Sequence, residues 1–563
     1  MNDVSQNPLR KIVDYFDLGA GARVLRSGIC AIAALVVLFY HAYERFAGLQ
    51  SSDSMEYAQL ARNLAMGEGF KTQCVKPVEV SYLAKHGRAA LLSGEHPDIL
   101  HPPLYPALLA VLFRFHGCEG PSPHETAAML ESRAIVPLGI LFTAGTCLFV
   151  FLLGRRLFDA RTGLAAMFVY LLGETVLSDS ISGLPVPLAA FLASAAVYAA
   201  FTASDRLQNE RPFLSWFPPF IMSSILCALC FLASYPAIAL VPVFILFFAG
   251  RLESHRWLLA AAWLLMFGAV TAPWLARNVS VSGNPAGLAP STMLADSRTY
   301  PGDSFYRATT GNTDAAQTIR IARQKLADNF PELYERDLKS AGGGFVLCFF
   351  IASFLYAFAR EDIRLFRWCL AAGILVMLFA GALYGGSAGR ILRIVLPVMC
   401  IYGMAFFVSM IEKLDLKDRV VELLILLAMT ALTALPTVMT LMRPAKASPS
   451  RPYCIAYLCS LTRPGNTIYS DAPWATAWYA DRPSALIPAT VNEFAALCNK
   501  DTSIGGLYLS RRMARTPYAV ITTDEDMKTW LPLLNGWIPP DDFPLTMGVR
   551  LPSNNDEIFL YRP

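Results

Sequence analysis

Apolar runs such as Ile29–Tyr40, Leu188–Phe201 and Leu423–Leu435 recur along most of the chain, with cationic residues between them. A hydrocarbon crossing takes about 20 apolar residues. Applied here, that length gives spans near 27–46, 127–153, 163–180, 185–203, 214–233, 236–250, 256–275, 343–360, 367–385, 391–411 and 420–440, about eleven crossings. Of 563 residues, 55% are hydrophobic and 16% charged, against about 25% charged in soluble domains. A cytosolic enzyme is excluded, and the expected fold is an α-helical polytopic membrane protein in contact with membrane lipids. Lys+Arg 47 against Asp+Glu 43 gives +4, too even a balance for a nucleic-acid partner.

Charge placement predicts orientation. The basic N-terminus runs into the first apolar stretch and on to His41–Phe46 without a small-residue cleavage site, as an uncleaved signal anchor does. Arg10, Lys11, Arg23, Arg26, Arg155, Arg156, Arg161, Arg206, Arg211, Arg251, Arg256, Arg360, Arg364, Arg367, Lys413, Lys417 and Arg419 all fall on one side of that topology. By the positive-inside rule this side is the cytoplasm. An odd number of crossings then puts 47–126, 277–342 and 441–563 outside. The chain divides into a transmembrane module, 1–440, that includes the first two outer segments, and an extracytoplasmic domain, 441–563. That domain starts with the linker RPAKASPSRP and reads as mixed α/β. Thr467–Ser470, Tyr518–Thr522 and Glu557–Tyr561 have strand character, and Thr490-Val-Asn-Glu493 has capping-box spacing. No repeat of 20–50 residues is present.

The first outer segment opens with SSDSMEYAQLARNLAMGEGF. Tyr57, Leu60, Ala61 and Leu64 recur at helical spacing and Gly67 stands at the helix end, which predicts a short amphipathic helix along the outer membrane surface. Asp53 then lies at its N-terminus with Glu56 one turn along. By spacing alone the pair reads first as a helix cap and, with further context, as catalytic carboxylates. His86, His96, His101, His116 and His124 cluster in the same segment, so a divalent metal is possible, although their spacing matches no standard ligand pattern. HPPLYPALLAVLFRF predicts a second interfacial helix. Arg277, Arg390 and Arg393 lie on the side opposite the other cations. Such arginines at membrane depth are paired or functional, and their forked donors fit a lipid phosphate as well as a structural carboxylate. Among the outer cysteines, Cys74–Cys118 and a bond from Cys498 to Cys454 or Cys459 are the expected disulfides.

The ordered set of an Asp after the first span with YAQLARNLAMGEGF, HPPLYP, PWLARN with GNP, Arg393-x-x-Leu396-Pro397, and SDAPWATAWYADRP resembles the GT-C membrane glycosyltransferases. The likeness is to bacterial relatives of protein O-mannosyltransferases and of the lipid A aminoarabinose transferase, and it runs from about residue 28 to about 485. It implies a GT-C fold in the bacterial inner membrane and inverting transfer of a sugar from a polyprenyl-phosphate donor to a protein, lipid or glycan acceptor hydroxyl. It assigns Asp53 as base; beside it Glu56 and Asp179 are further candidate catalytic acids, and Arg277, Arg390, Arg393 and His101 are candidate donor phosphate contacts. The chain departs from the family twice. Leu184 or Pro185 stands where an acid after the third span is common, leaving Asp179 as the nearest substitute and Glu174 inside the span. His101 replaces a lysine before the proline pair. A WWD-type motif, which the asparagine-linked oligosaccharyltransferases carry, is absent.

Two other readings fit part of the pattern. A lipid-linked-sugar flippase also needs outer arginines, yet transporters place polar groups near the midplane and have related halves, and neither is visible here. A catalytically inactive relative that binds only the lipid phosphate is the third.

Overall fold

The computed structural model describes residues 20–87, 96–118, 122–251, 256–308, 315–333, 345–385, 388–414, 418–444, 451–514, 525–535, 543–550 and 557–562. Helix α1 (Ala20–Arg45) is followed by the loop helices α2 (Ser52–Met66), α3 (Pro77–Lys85) and α4 (Leu104–His116). Next come α5 (Pro123–Leu157), α6 (Ala160–Leu171), α7 (Glu174–Ser180), α8 (Val186–Gln208), α9 (Phe213–Ala233), α10 (Leu240–Arg251) and α11 (Arg256–Ser282). After a second loop region holding α12 (Ala315–Glu332) run α13 (Phe345–Ala352), α14 (Glu361–Tyr384), α15 (Ala388–Arg393), α16 (Leu396–Lys413) and α17 (Arg419–Leu441).

This is an integral membrane protein. Among the described residues eight helices are long and apolar enough to cross a bilayer, and α6 with α7, bent by 65° at their break, forms a ninth, broken span. The two other expected crossings are shorter helices, Tyr235–Arg251 and Phe345–Leu355. The first is shortened by a 3₁₀ turn at Tyr235–Ala239 carrying Pro236; residues 334–344 at the start of the second lie outside the described set.

Cationic loops from distant parts of the chain meet at one end of this bundle. Arg156 pairs with Asp205 at 2.9 Å, Arg360 reaches Asp205 at 2.7 Å and Asp362 at 2.5 Å, and Arg161 meets Glu422 at 3.3 Å. At the other end Arg45 donates to the Arg443 carbonyl at 2.8 Å. The loop regions and the C-terminal domain gather there.

That domain holds α18 (Pro452–Ser460), α19 (Pro473–Tyr479) and α20 (Val491–Lys500) around a six-stranded sheet. The first loop contributes β2 (Cys74–Val75) to it, while its β1 (Lys71–Thr72) and β3 (His96–Pro97) pair antiparallel as a separate two-stranded sheet. The domain contributes β4 (Thr467–Ser470), β5 (Ser484–Leu486), β6 (Ile504–Leu509), β7 (Met547–Arg550) and β8 (Ile558–Tyr561). Strand order is β2-β5-β4-β6-β8-β7, parallel from β2 to β6 and antiparallel beyond. The first loop therefore supplies an edge strand, with Cys74 opposite Ser484 and Val75 opposite Ala485. The strands expected at Thr467–Ser470 and near Glu557–Tyr561 form; Tyr518–Thr522 lies outside the described residues. Thr490 Oγ1 accepts from Glu493 N at 3.2 Å and starts α20.

Helix α2 ends as expected, at Gly67 with φ 87°. It does not lie on lipid by one face. Every residue from Ser54 to Asn63 is buried, because α4 packs on one side and α19 on another. Arg62 fixes this sandwich: it donates to the Ala477 and Trp478 carbonyls at 2.6 and 3.0 Å, pairs with Asp481 at 2.8 Å and stands over the Trp478 ring. Trp478 Nε1 donates in turn to Glu131 Oε1 of α5 at 2.8 Å. The SDAPWATAWYADRP segment is thus a clamp between loop, bundle and domain.

The expected disulfides are absent among the described residues. Cys74 is buried in β2, paired with β5, while Cys118 follows α4 and its thiol faces the Phe113 carbonyl at 3.7 Å. Cys498 is buried inside the domain core beside Phe494, apart from the cluster that holds Cys459.

Candidate active site

Asp53 sits in the first turn of α2 but does not cap it. Ser51 is the cap, its Oγ accepting from Ser54 N at 3.1 Å, so the Asp53 carboxylate is left for another partner. That partner is Arg390, whose Nη1 lies 2.9 Å from Asp53 Oδ2. Both side chains remain open to the surroundings, 46% exposed for Asp53 and 37% for Arg390. Burial of the carboxyl opposes its charge, but Arg390, His101 and Lys76 outweigh it and hold Asp53 below the ordinary carboxylate range.

Asp179 arrives by a different route. The break between α6 and α7 turns the chain so that the second half presents Asp179 at the same end of the bundle, where Arg393 Nη1 meets its Oδ1 at 2.6 Å. Arg390 and Arg393 lie one turn apart on α15, so one short helix serves both carboxylates. A buried Arg393 Nε has no hydrogen-bond partner among the described residues. Gly183, with φ 71°, packs the chain after Asp179 against the start of α2: a Cβ there would meet Leu49 at 2.6 Å and Ser54 Cβ at 3.3 Å. Glu174 is directed elsewhere, accepting from Thr440 Oγ1 at 2.6 Å.

Behind Asp53 lies a buried charged group. Lys76 Nζ pairs with Glu56 Oε2 at 2.7 Å; His101 Nδ1 faces Asp98 Oδ2 at 2.8 Å and its Nε2 lies 3.6 Å from Glu56. Asp98 also accepts the backbone N–H groups of Leu100 and His101, and Tyr57 packs edge-on against the imidazole. Burial disfavours charge on His101, yet Asp98 and Glu56 push it up to about 9. Lys76 is likewise raised, Glu56 and Glu79 overcoming burial, whereas burial pushes the Glu79 carboxyl up to about 8. Glu56 is thus the ion-pair partner of Lys76, and His101 is enclosed, only 7% exposed.

Arg277 does not join Arg390 and Arg393. Its Nη1 donates to the Asp98 carbonyl at 2.6 Å and to Asn278 Oδ1 at 3.1 Å, its Nη2 to the Phe70 carbonyl at 3.3 Å, and its guanidinium lies over Phe70 and Trp274. It holds together the end of the antiparallel β1–β3 pair that leads into Asp98 and His101. The histidines also part company: His86 Nδ1 faces the Tyr82 carbonyl at 2.8 Å and His124 packs on Tyr453. Among the described residues no three of His, Cys, Asp and Glu converge as a metal-holding group. The structure thus brings Asp53, Asp179, Arg390 and Arg393 to one place, with Glu56 and His101 behind them. Sequence reasoning missed Lys76 and Asp98; HPDILHPP held a signal for the latter, since an Asp three residues before a His can close a turn on it.

No family model matches this sequence, and no curated protein matches it. Solved structures do. The oligosaccharyltransferase of Archaeoglobus fulgidus, tethered to an acceptor peptide containing the NVT sequon, aligns over 93% of this chain and 72% of its own with TM-score 0.60 at 13% identity. The same enzyme in complex with Zn and sulfate aligns over 86% and 68% with TM-score 0.58 at 14% identity. The fold is that of the GT-C membrane glycosyltransferases. A looser alignment, TM-score 0.46 at 13% identity, covers 96% of this chain and 98% of ArnT from Cupriavidus metallidurans bound to undecaprenyl phosphate. In this chain, Asp53 follows the first span directly and Arg390 and Arg393 precede the tenth apolar segment.

Proposed function

We propose that this protein is a glycosyltransferase that moves a sugar, with inversion, from a polyprenyl phosphate to an acceptor hydroxyl on the extracytoplasmic side of the bacterial inner membrane. The observation that carries this reading is the pairing of Asp53 and Asp179 with Arg390 and Arg393 from a single turn of helix at one end of the bundle. The fold likeness supports it: one similar structure holds an acceptor peptide and another an inhibitory peptide with dolichol phosphate. The asparagine-linked acceptor class is not adopted, because the WWD-type motif is missing.

In this reading the monoanionic phosphodiester of the donor draws the Arg390 and Arg393 guanidiniums, which neutralise the second charge that grows on the phosphate as the anomeric C–O bond breaks. The acceptor oxygen attacks the anomeric carbon from the opposite face, and its proton passes to Asp53. The lipid phosphate leaves as the free anion. Arg390 thus has two partners in turn: with the site empty it neutralises Asp53, and with donor bound it moves toward phosphate and leaves the carboxylate free to accept a proton. Asp179 holds Arg393 in place. The buried Lys76, Glu56, His101 and Asp98 fix the field around Asp53. A transporter would gather its ionisable groups near the bilayer midplane; here they stand at the ends of the helices.

Purified protein incubated with polyprenyl-phosphate sugars and a membrane extract should yield a product heavier by one sugar, found by mass spectrometry. Donor binding with no product in any extract would favour an inactive lipid-binding relative.

A further inference from the structure

The opposite end of the bundle carries a polar cleft of about 470 Å³, lined by Arg156, Asp205, Arg206, Asn209, Arg211 and Ser215, where α8 ends and α9 begins. Its one lining carboxylate, Asp205, is already shared between Arg156 at 2.9 Å and Arg360 at 2.7 Å. Arg206 Nη1 donates to the Ser215 carbonyl at 2.7 Å, which leaves its charge uncompensated. Among the described residues neither Arg206 nor Arg211 has a carboxylate partner, and Arg211 is exposed. Among the described residues the cleft therefore holds surplus positive charge with no carboxylate to meet it.

What lies beside it narrows the ligand. Phe213 is 54% exposed and Leu214 82% exposed, and Phe213 stacks with Phe217 at 4.4 Å and meets Trp216 edge-on at 5.2 Å. A bare anion would use the arginines alone. A glycerophospholipid would use both parts, its phosphate among the guanidiniums and its acyl chains over the exposed aromatic edge, with Trp216 at the depth where indoles favour the interface. The sugar donor is not the match, because the 23 residues of α8 separate this cleft from the Asp53 end by about 35 Å.

We propose that this cleft binds the phosphate of an anionic glycerophospholipid at the face opposite Asp53. This inference stands whether or not the chain transfers a sugar. The test uses full-length protein purified in detergent, offered phosphatidylglycerol or phosphatidylcholine and weighed intact by native mass spectrometry. Wild-type protein should retain phosphatidylglycerol preferentially. The Arg206→Gln/Arg211→Gln double variant should retain about 10-fold less or lower still, as for loss of two charge-assisted contacts. Arg211→Glu, a change at an exposed position, should lose retention with an unchanged melting temperature. Millimolar inorganic phosphate should not displace the lipid. Equal retention of both lipids, equal retention by the variants, or full displacement by inorganic phosphate would each overturn the proposal.

Discussion

Arg390 Nη1 lies 2.9 Å from Asp53 Oδ2, so residues 337 positions apart in the chain form one ion pair at the end of the bundle. Because both side chains are half-exposed, solvent screens the pair and it contributes little to folding. Its interest is chemical. A base held by a cation is weak until the cation finds a better partner, and a lipid phosphate is such a partner.

Replacing Arg390 or Arg393 with Ala should therefore reduce donor use by roughly 10–150-fold, the worth of one lost charged hydrogen bond. Melting temperature should change little for Arg390→Ala. Lys should restore only part of the loss, since it keeps the charge without the fork. The check is donor KM and kcat/KM for each variant beside its melting curve. Arg393→Ala carries an added effect, because Asp179 is only 9% exposed and loses its partner.

Arg277 should behave differently. It donates to the Phe70 and Asp98 carbonyls and supports the turn behind His101. Arg277→Ala should lower stability by about 1–3 kcal/mol, leaving two carbonyls without their donor, with donor KM unchanged in the protein that remains folded. A selective rise in donor KM at unchanged melting temperature would return Arg277 to the phosphate site.

Much of this was legible in the chain. The apolar runs gave the bundle, Gly67 gave the end of α2, and Thr490 gave the start of α20, because each depends on local spacing. Asp53, Asp179, Arg390 and Arg393 were each visible as charges in unusual places. Their pairing was not, since α15 and the bend between α6 and α7 bring them together over more than 200 residues. Helix α2 misled for a related reason: its apolar stripe is real, but Arg62 and Gln59 on the other faces are also buried, satisfied or enclosed by a domain that begins 380 residues later. The short β2 was hidden because two residues carry no period, and its place is set by β5.

The buried group behind Asp53 makes stability depend on pH. His101 is pushed up to about 9 from an ordinary 6.5, by Asp98 and Glu56 against burial, and Glu79 up to about 8 from 4.5, chiefly by burial. Both folded values are raised, so the folded protein binds protons more tightly than the unfolded chain. Their stabilising effect is complete below the unfolded values and is lost as pH rises through the folded ones. Melting temperature should fall from about pH 4.5 to 9, most steeply between 6.5 and 8 where both groups contribute, and His101→Gln should flatten the slope above 6.5. A slope unchanged in the variant would assign the effect to other groups.

Asp53→Asn tests the proposed chemistry most directly. Asn is nearly the same size and does not disturb the cap, which is Ser51 rather than Asp53. It cannot take a proton at neutral pH. The measurement is single-turnover sugar transfer by purified Asp53→Asn at saturating donor, alongside donor affinity and melting temperature. Transfer should fall by roughly 10²–10⁴-fold, the range for a lost general base, while the protein inserts, melts near the wild-type temperature and still binds donor. Transfer close to the wild-type rate would contradict a base role for Asp53.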